Sequence, residues 1–370
     1  MKKLILILLI VISSIAASAQ ETPIISLITC GPGQESYTLY GHTAIRLQQP
    51  AVHQDIIVNY GLFSFDQPNF ALRFIFGKPN YIVGAIPTSL FLDEYRTKGR
   101  WVKEQVLNID SLKAQQLIQT LALECMPANR EYRYNIFYSN CTTKAADIIE
   151  QVCNIDFQKA YTPTNTTIRQ FLHQYTNKAP WTQFGSDLLL GIEADRPPLD
   201  QRFLPMQLYQ LAEKYTVEEH ELLSASQQSS PSCPITPSSV FILISLLIVG
   251  CSLYEFFRKK FHAAIDLTSF ILLGFVSICL FLMLFSSHPT VRLNLQILLF
   301  NPLLIPFAWT TIKHIRQQRF SGFLLFYSCC LIVFLIGAFW QCYAEGVFLL
   351  AIALLIRYAL LWIHSKRALH

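Results

Sequence analysis

The chain has 370 residues, of which 52% are hydrophobic and 14% are charged, and its formal net charge is +5. A composition this apolar excludes a single soluble domain and indicates a membrane protein. No basic stripe is interleaved with aromatic residues, so nothing in the sequence indicates nucleic acid as a partner.

Residues 1–19 have the organisation of a secretory signal peptide. Lys2 and Lys3 precede an apolar stretch, 4–12, and small residues at 17–19 form a cleavage site. The alternative is a first membrane anchor, but the apolar stretch is shorter than the ~20 residues that span a bilayer. Both interpretations deliver the residues that follow outside the cytoplasm.

Residues 20–223 have the mixed composition of a globular domain, for which we predict an α+β fold. Stretches rich in β-branched and aromatic residues predict five strands, at 24–30, 42–48, 55–61, 81–86 and 101–107. Helical spacing of apolar residues predicts one helix over 110–125 and a second over 142–153.

Cys141 comes just before the second predicted helix, and His42 begins a predicted strand after a glycine. A thiol at a helix N-terminus has its pKa lowered from about 8.5 by the helix dipole. A strand-borne histidine that faces such a thiol is a common arrangement for acyl chemistry. The plainer interpretations are a histidine with a structural role and a cysteine in a disulfide.

The exported part carries an odd number of cysteines: Cys30, Cys125, Cys141, Cys153 and Cys233. At least one of them therefore stays free or pairs between chains. A bridge between Cys125 and Cys153 would leave Cys30 and Cys141 open. No CxxC or HxxxH spacing occurs, so we predict no metal site and no cofactor.

Residues 224–239 are rich in Ser and Pro and predict a linker. Residues 240–370 contain five apolar stretches, each near the ~20 residues that a bilayer requires. They are 240–257, 264–286, 293–312, 320–341 and 346–363.

The charges between these stretches predict their orientation. Segments 258–262, 313–319 and 364–370 are basic, whereas the alternate connections are nearly uncharged. The positive-inside rule places the basic segments and the C-terminus in the cytoplasm, in agreement with export of the N-terminal part. We therefore predict a multi-pass protein of the bacterial inner membrane with its N-terminal domain in the periplasm.

Four stretches of the sequence resemble the Lnb family of lipoprotein N-acyltransferases. They are LITCGPGQESYTLYGHTAIRL, YNIFYSNCTTKAADII, FGSDLLLGIEADRPPLDQRFLPMQL and SSHPTVRLNLQILLFNPL. The resemblance implies a permuted papain-like thiol fold followed by an all-α transmembrane domain of five helices. It also implies a catalytic pair that matches Cys141 and His42, and a basic residue at position 145, where this chain has Ala145.

Six further residues are candidates for binding or orienting a substrate: Tyr60, Asn140, Arg169, Asp187, Asp195 and His288. Arg169 and the two aspartates lie in the resembling segments, where they would orient a base, hold a headgroup or form a buried ion pair. His288 lies in an outer loop and would contact a lipid phosphate or serve as an ordinary interfacial histidine.

The resemblance implies transfer of an acyl group from a membrane phospholipid, through a Cys141 thioester, to the α-amine of diacylglyceryl-cysteine lipoproteins. The predicted topology agrees with a lipid donor, because ATP and acyl-CoA are not supplied outside the cytoplasm. The aromatic stretch 60–77 would dip into the bilayer interface, line an acyl pocket or form core.

Two other functions fit the same residues. A membrane-tethered Cys-His amidase or peptidase acting on cell wall would use water as the acceptor. A non-catalytic membrane assembly module would hold Cys141 in a disulfide.

Overall fold

The computed structural model describes residues 22–161, 164–226 and 234–367. The predicted signal peptide, part of the predicted linker and Cys233 lie outside the described residues. The described residues divide into two compact units, each discontinuous in sequence. The sheet unit comprises 22–66, 79–161 and 200–226, and the helical unit comprises 67–78, 164–199 and 234–367.

Seven strands are present in the described ranges. In chain order they are β1 (Ile24–Cys30), β2 (His42–Gln49), β3 (Gln54–Leu62), β4 (Asn80–Pro87), β5 (Val102–Leu107), β6 (Glu131–Arg133) and β7 (Thr216–Leu223).

The α-helices of the same ranges are numbered in chain order. They are α1 (Phe70–Ile75), α2 (Thr88–Thr97), α3 (Ser111–Glu124), α4 (Cys141–Cys153), α5 (Ile168–Thr176), α6 (Pro180–Leu189), α7 (Pro205–Ala212), α8 (Pro237–Phe257), α9 (Ala264–Met283), α10 (Pro289–Arg292), α11 (Leu304–Arg316), α12 (Gly322–Gly337) and α13 (Val347–Arg367).

All seven strands form one antiparallel sheet in the order β6-β4-β3-β2-β1-β5-β7. Helices cover both faces of its centre, and six of the seven residues of β1 are consequently buried. On one face α3 and α4 pack through Leu117, Leu121 and Ile149. On the other face α2 packs through Phe91 and Tyr95.

The helical unit has a separate apolar core, to which α8, α9, α11, α12 and α13 contribute. Three helices within the described ranges are long and apolar enough to cross a membrane, namely α8, α9 and α13, while α12 is apolar but has only 16 residues. The prediction of a sheet-containing N-terminal domain followed by apolar helices is confirmed.

The third predicted span, 293–312, differs from the prediction because it is not one continuous helix. Leu295–Leu298 is a 3-10 turn, and α11 begins only at Leu304. Pro302 has no backbone N–H, and Asn301 Oδ1 accepts a hydrogen bond from the Leu303 N–H at 3.0 Å. These local bonds replace the helical ladder at the break.

Segment 164–199 belongs to the helical unit although it precedes the apolar helices by many residues. Three buried side-chain amides donate to its backbone carbonyls: Gln296 to Asp187 at 2.8 Å, Asn294 to Leu188 at 2.8 Å and Gln341 to Leu190 at 3.1 Å. The compact units therefore cut across the linear boundaries that composition predicts.

Candidate active site

His42 is the first residue of β2, and the turn before it requires a glycine. Gly41 has φ = 82°, and a side chain there would meet the Cys30 carbonyl oxygen at 2.6 Å. The strand then pairs with β1 so that His42 lies opposite Cys30. The backbone thus fixes His42 at the N-terminal end of a central, largely buried strand.

Cys141 is the first residue of α4, and Asn140 caps that helix. Asn140 Oδ1 accepts from the backbone N–H groups of Thr142 at 2.8 Å and Thr143 at 2.9 Å, while the Thr143 hydroxyl accepts from the Asn140 N–H at 2.9 Å. The Asn140 amide also donates to the carbonyls of Ile136 and Phe203. Asn140 thereby anchors the start of the helix and leaves the Cys141 N–H outside the cap.

The hydroxyls of Thr43 and Thr142 lie 3.2 Å apart, so β2 and α4 bring the adjoining residues His42 and Cys141 close enough for each to act on the ionisation of the other. Burial opposes ionisation of the thiol, but the charge of His42, a hydrogen bond from His42 and the backbone N–H of Thr43 together lower the pKa of Cys141 to about 7. Burial also opposes a charged His42, yet the Cys141 thiolate raises the pKa of this histidine. The arrangement favours a thiolate–imidazolium pair.

Asn59 is the residue of this site that sequence reasoning missed. Its Oδ1 lies 3.0 Å from His42 Nε2, and its side chain is 5% exposed. With the amide oxygen as acceptor, Nε2 carries a proton and Nδ1 is the nitrogen that faces the thiol. The one available signal was an amide within the otherwise apolar run IIVNYG of β3.

The other thiols of the sheet unit differ sharply from Cys141. Burial raises the pKa of Cys30 to about 12, raises that of Cys153 to about 11 and also raises that of Cys125. All four are free cysteines in this structure, so the Cys125–Cys153 bridge considered above is not formed and Cys141 is not held in a disulfide. Among these four thiols, the one beside His42 is the one whose pKa is lowered towards neutral pH.

Tyr60 and Ala145 both belong to the core beneath the site. Tyr60 is fully buried, and its hydroxyl donates to Glu124 Oε2 at 2.5 Å. Ala145 is fully buried against the same cluster, so the basic residue that the resemblance implies there would have no solvent contact.

The remaining candidates lie in the helical unit. Arg169 is 2.8 Å from Asp187 and 2.7 Å from Asp195; Arg169 and Asp187 are buried, and Asp195 is half-buried. His173 Nε2 lies 2.9 Å from Asp187, completing a cluster of four charged or titratable groups. His288 is buried at the start of α10. Arg169, Asp187, Asp195 and His288, the four predicted residues, therefore all lie outside the sheet unit that contains Cys141 and His42.

Within the part of the chain that the structure describes, no three His, Cys, Asp or Glu side chains form a group suited to a metal ion. A thiol beside a histidine is an arrangement that can serve as a nucleophile with a proton carrier.

Two family models match the chain. Residues 16–174 match the Lnb N-terminal periplasmic domain, and residues 227–368 match the Lnb transmembrane domain. The two matches follow one another along most of the sequence, and both His42 and Cys141 fall within the first. Comparisons with curated proteins and with solved structures give no match.

Proposed function

Because this chain belongs to the Lnb family, a lipoprotein-related family of membrane proteins with an N-terminal periplasmic domain, we propose that it is a lipoprotein N-acyltransferase. A membrane phospholipid is the acyl donor and the N-terminal diacylglyceryl-cysteine of a lipoprotein is the acceptor, with no cofactor. The enzyme resides in the bacterial inner membrane with its C-terminus in the cytoplasm.

The observation that carries this proposal is the pairing of Cys141 with His42 at the start of α4, which lowers the thiol pKa to about 7. A thiolate populated at neutral pH is the nucleophile that an acyl-enzyme mechanism requires. An enzyme outside the cytoplasm has no acyl-CoA, so an ester of the surrounding lipid is the available donor.

In the first step the Cys141 thiolate attacks the ester carbonyl carbon of the phospholipid. A carbon–sulfur bond forms, the ester carbon–oxygen bond breaks, and the departing lysophospholipid oxygen takes the proton from the His42 imidazolium. The Asn140 side chain binds the N–H groups of Thr142 and Thr143 and not that of Cys141, and in this proposal the Cys141 N–H stabilises the oxyanion. The products are a thioester and neutral His42.

In the second step the lipoprotein α-amine attacks the thioester. Its pKa near ~8 leaves a useful neutral fraction at pH 7. A carbon–nitrogen bond forms, the carbon–sulfur bond breaks, and the proton lost by the amine passes to His42. The thiolate–imidazolium pair is thereby restored, and the amide product departs.

The test uses the purified full chain in detergent with a phospholipid that carries a labelled acyl chain. We expect the label as a thioester on the Cys141 peptide, and its discharge onto a synthetic diacylglyceryl-cysteine peptide, both followed by mass spectrometry. Cys141→Ala and His42→Ala should abolish labelling, whereas Cys125→Ala, which removes a thiol outside the pair, should not.

Label that consistently appears on another residue would rule out the proposed intermediate. Thioester that forms but discharges only to water, with the lipopeptide unmodified, would favour hydrolysis and support the amidase or peptidase alternative. Absence of any acyl-enzyme in a folded protein would instead support a non-catalytic membrane module.

A further inference from the structure

A continuous file of aromatic rings lies in the sheet unit beside the thiol. Tyr134 stacks on Tyr81 with ring centroids 4.0 Å apart, and Tyr81 stacks on Phe63 at 4.8 Å. Phe63 meets the edges of Phe65 at 4.9 Å and Tyr37 at 5.9 Å. We call these five residues the aromatic file.

The inner part of the file adjoins Cys141. Gly61, two residues before Phe63, lies directly against the cysteine, because a Cβ built on Gly61 would be 3.4 Å from Cys141 Cβ. Burial raises the pKa of the Tyr81 phenol, and the charge of Cys141 raises it further, so this ring is within electrostatic range of the sulfur. The inner end of the file therefore lies near Cys141.

The outer part of the file is open to solvent. Phe65 is 64% exposed and Tyr37 is 56% exposed, and the neighbouring Leu62 is exposed as well. Large aromatic side chains that cluster on a surface usually mark a site where an apolar group binds. Of the three interpretations of this stretch from sequence, plain core is therefore wrong for Phe65.

We propose that the aromatic file is the subsite for the fatty chain of the acyl donor and of the Cys141 thioester. The proposal rests on the function proposed above and adds the residues that select the acyl group. The carbonyl end of the chain would lie at Cys141, and the methylenes would lie along Tyr81, Phe63 and Phe65 towards the exposed end.

Proximity of the file to Cys141 favours an acyl chain over a bilayer surface as the occupant. A surface that only docks onto lipid needs exposed apolar groups but has no need of stacked rings that continue inward towards Cys141. A thioester, by contrast, fixes one end of an apolar chain at Cys141 and requires apolar surface along the next carbons. The faces of the aromatic rings supply that surface.

The test compares donors that share one headgroup and differ in acyl length, octanoyl against palmitoyl, with the full chain in the same detergent. Initial rates of Cys141 thioester formation give kcat/KM for each donor. We expect Phe65→Ser to lower the palmitoyl-to-octanoyl ratio of kcat/KM, and the double variant Tyr37→Ser/Phe65→Ser to lower it about tenfold, which corresponds to the loss of about two buried methylene groups. Leu112→Ser, at a leucine of α3 that is 66% exposed, is the matched control and should leave the ratio unchanged.

If the Phe65 and Tyr37 variants lose kcat/KM equally with the octanoyl and palmitoyl donors, the proposal is overturned and these residues serve general membrane attachment. An unchanged ratio with unchanged rates would overturn it too. Both results are distinct from failure of the proposed function, in which the wild-type chain forms no Cys141 thioester with either donor.

Discussion

Two cysteines, Cys30 and Cys141, neighbour His42, and their environments shift the pKa values of the two thiols in opposite directions. Cys30 lies opposite His42 in the sheet, where burial raises the pKa of its thiol to about 12, while the His42 charge lowers that of Cys141 to about 7. We expect alkylation of Cys141 by iodoacetamide to rise with pH and reach half its maximal rate near pH 7. Peptide mapping by mass spectrometry measures each thiol separately.

His42→Ala is the informative variant for this profile. Without the imidazolium, burial raises the thiol pKa and only the Thr43 N–H and the Thr142 hydroxyl remain to lower it, so the half-maximal pH should rise to about 8.5 or above, the ordinary thiol range. The sign follows because the favourable charge is lost and the desolvation remains. An alkylation profile that does not move in this variant would mean that His42 does not set the thiol pKa.

Asn59 should act as a positioning residue for His42. Loss of its hydrogen bond to Nε2 in Asn59→Ala leaves the ring free to turn away from the thiol. We expect kcat to fall about tenfold with little change in KM, a loss of the size of one hydrogen bond to a charged group. The half-maximal pH of Cys141 alkylation should rise in parallel.

Asn59→Asp provides the control, since a carboxylate keeps an acceptor at the same place. It should recover most of the lost kcat and return the alkylation profile towards that of the wild type. If both variants behave alike and the alkylation profile stays in place, Asn59 has only a packing role.

Sequence reasoning predicted that Cys141 and His42 work together, and the structure places them side by side, but it did not include Asn59, which bonds to His42. The pair could be predicted because each partner has a local signature, a helix start for the cysteine and a glycine turn for the histidine. The contact of Asn59 with His42 depends on the pairing of β2 with β3, in which Ile45 lies opposite Val58. That register is set by packing of the whole sheet and has no local signature.

At the scale of elements, the strands that are buried were the ones that sequence predicted well. β1 to β5 and helices α3 and α4 were each predicted within one or two residues of their ends. β7 was missed because its middle residues, Glu218–Glu221, are charged and exposed at the sheet edge. An edge strand made of charged residues lacks the alternation of apolar and polar residues by which a strand is predicted from sequence.

The start of α4 depends on Asn140, which makes five hydrogen bonds with its side chain or backbone N–H. Asn140→Ala removes the cap and leaves the carbonyls of Ile136 and Phe203 without this donor. We expect the free energy of unfolding to fall by about 2 kcal/mol. The first turn of α4 should also loosen, so that Cys141 alkylation shifts to higher pH.

Thermal unfolding of the full chain in detergent measures the first effect. Asn140→Asp is the control, because it keeps the acceptor for the Thr142 and Thr143 N–H groups but loses both donations. Its stability should lie between those of the wild type and Asn140→Ala. Equal stability of all three would show that the cap does not hold the helix start.

At the scale of the whole molecule, composition predicted a periplasmic part followed along the chain by a membrane part. The two compact units instead alternate along the sequence, since each is built from separate ranges of residues. Segment 164–199 joins the helical unit because Gln296, Asn294 and Gln341 bind its backbone carbonyls. Such bonds link residues more than a hundred positions apart, so neither hydropathy nor periodicity could indicate them. The Arg169 cluster lies within the same segment and buries its charges there.

A second buried ion cluster connects three apolar helices of the helical unit. Arg357 of α13 is 0% exposed and binds both Asp266 carboxylate oxygens, at 2.8 and 2.5 Å, and Glu255 at 3.1 Å. It also donates to the Ser252 hydroxyl and to the His262 carbonyl. α8, α9 and α13 are thus joined by one guanidinium inside an otherwise apolar core.

Arg357→Met should destabilise the helical unit by about 3–5 kcal/mol, because it leaves two carboxylates buried without their cation. The triple variant Arg357→Met/Asp266→Leu/Glu255→Leu removes all three charges, and we expect it to recover most of that loss. Arg258→Met, at an exposed arginine after α8, is the control and should be close to the wild type. Unfolding of the purified chain by SDS measures all four proteins. If the triple variant is as unstable as the single one, the cluster contributes through specific geometry between the helices, and compensation of buried charge is not its role.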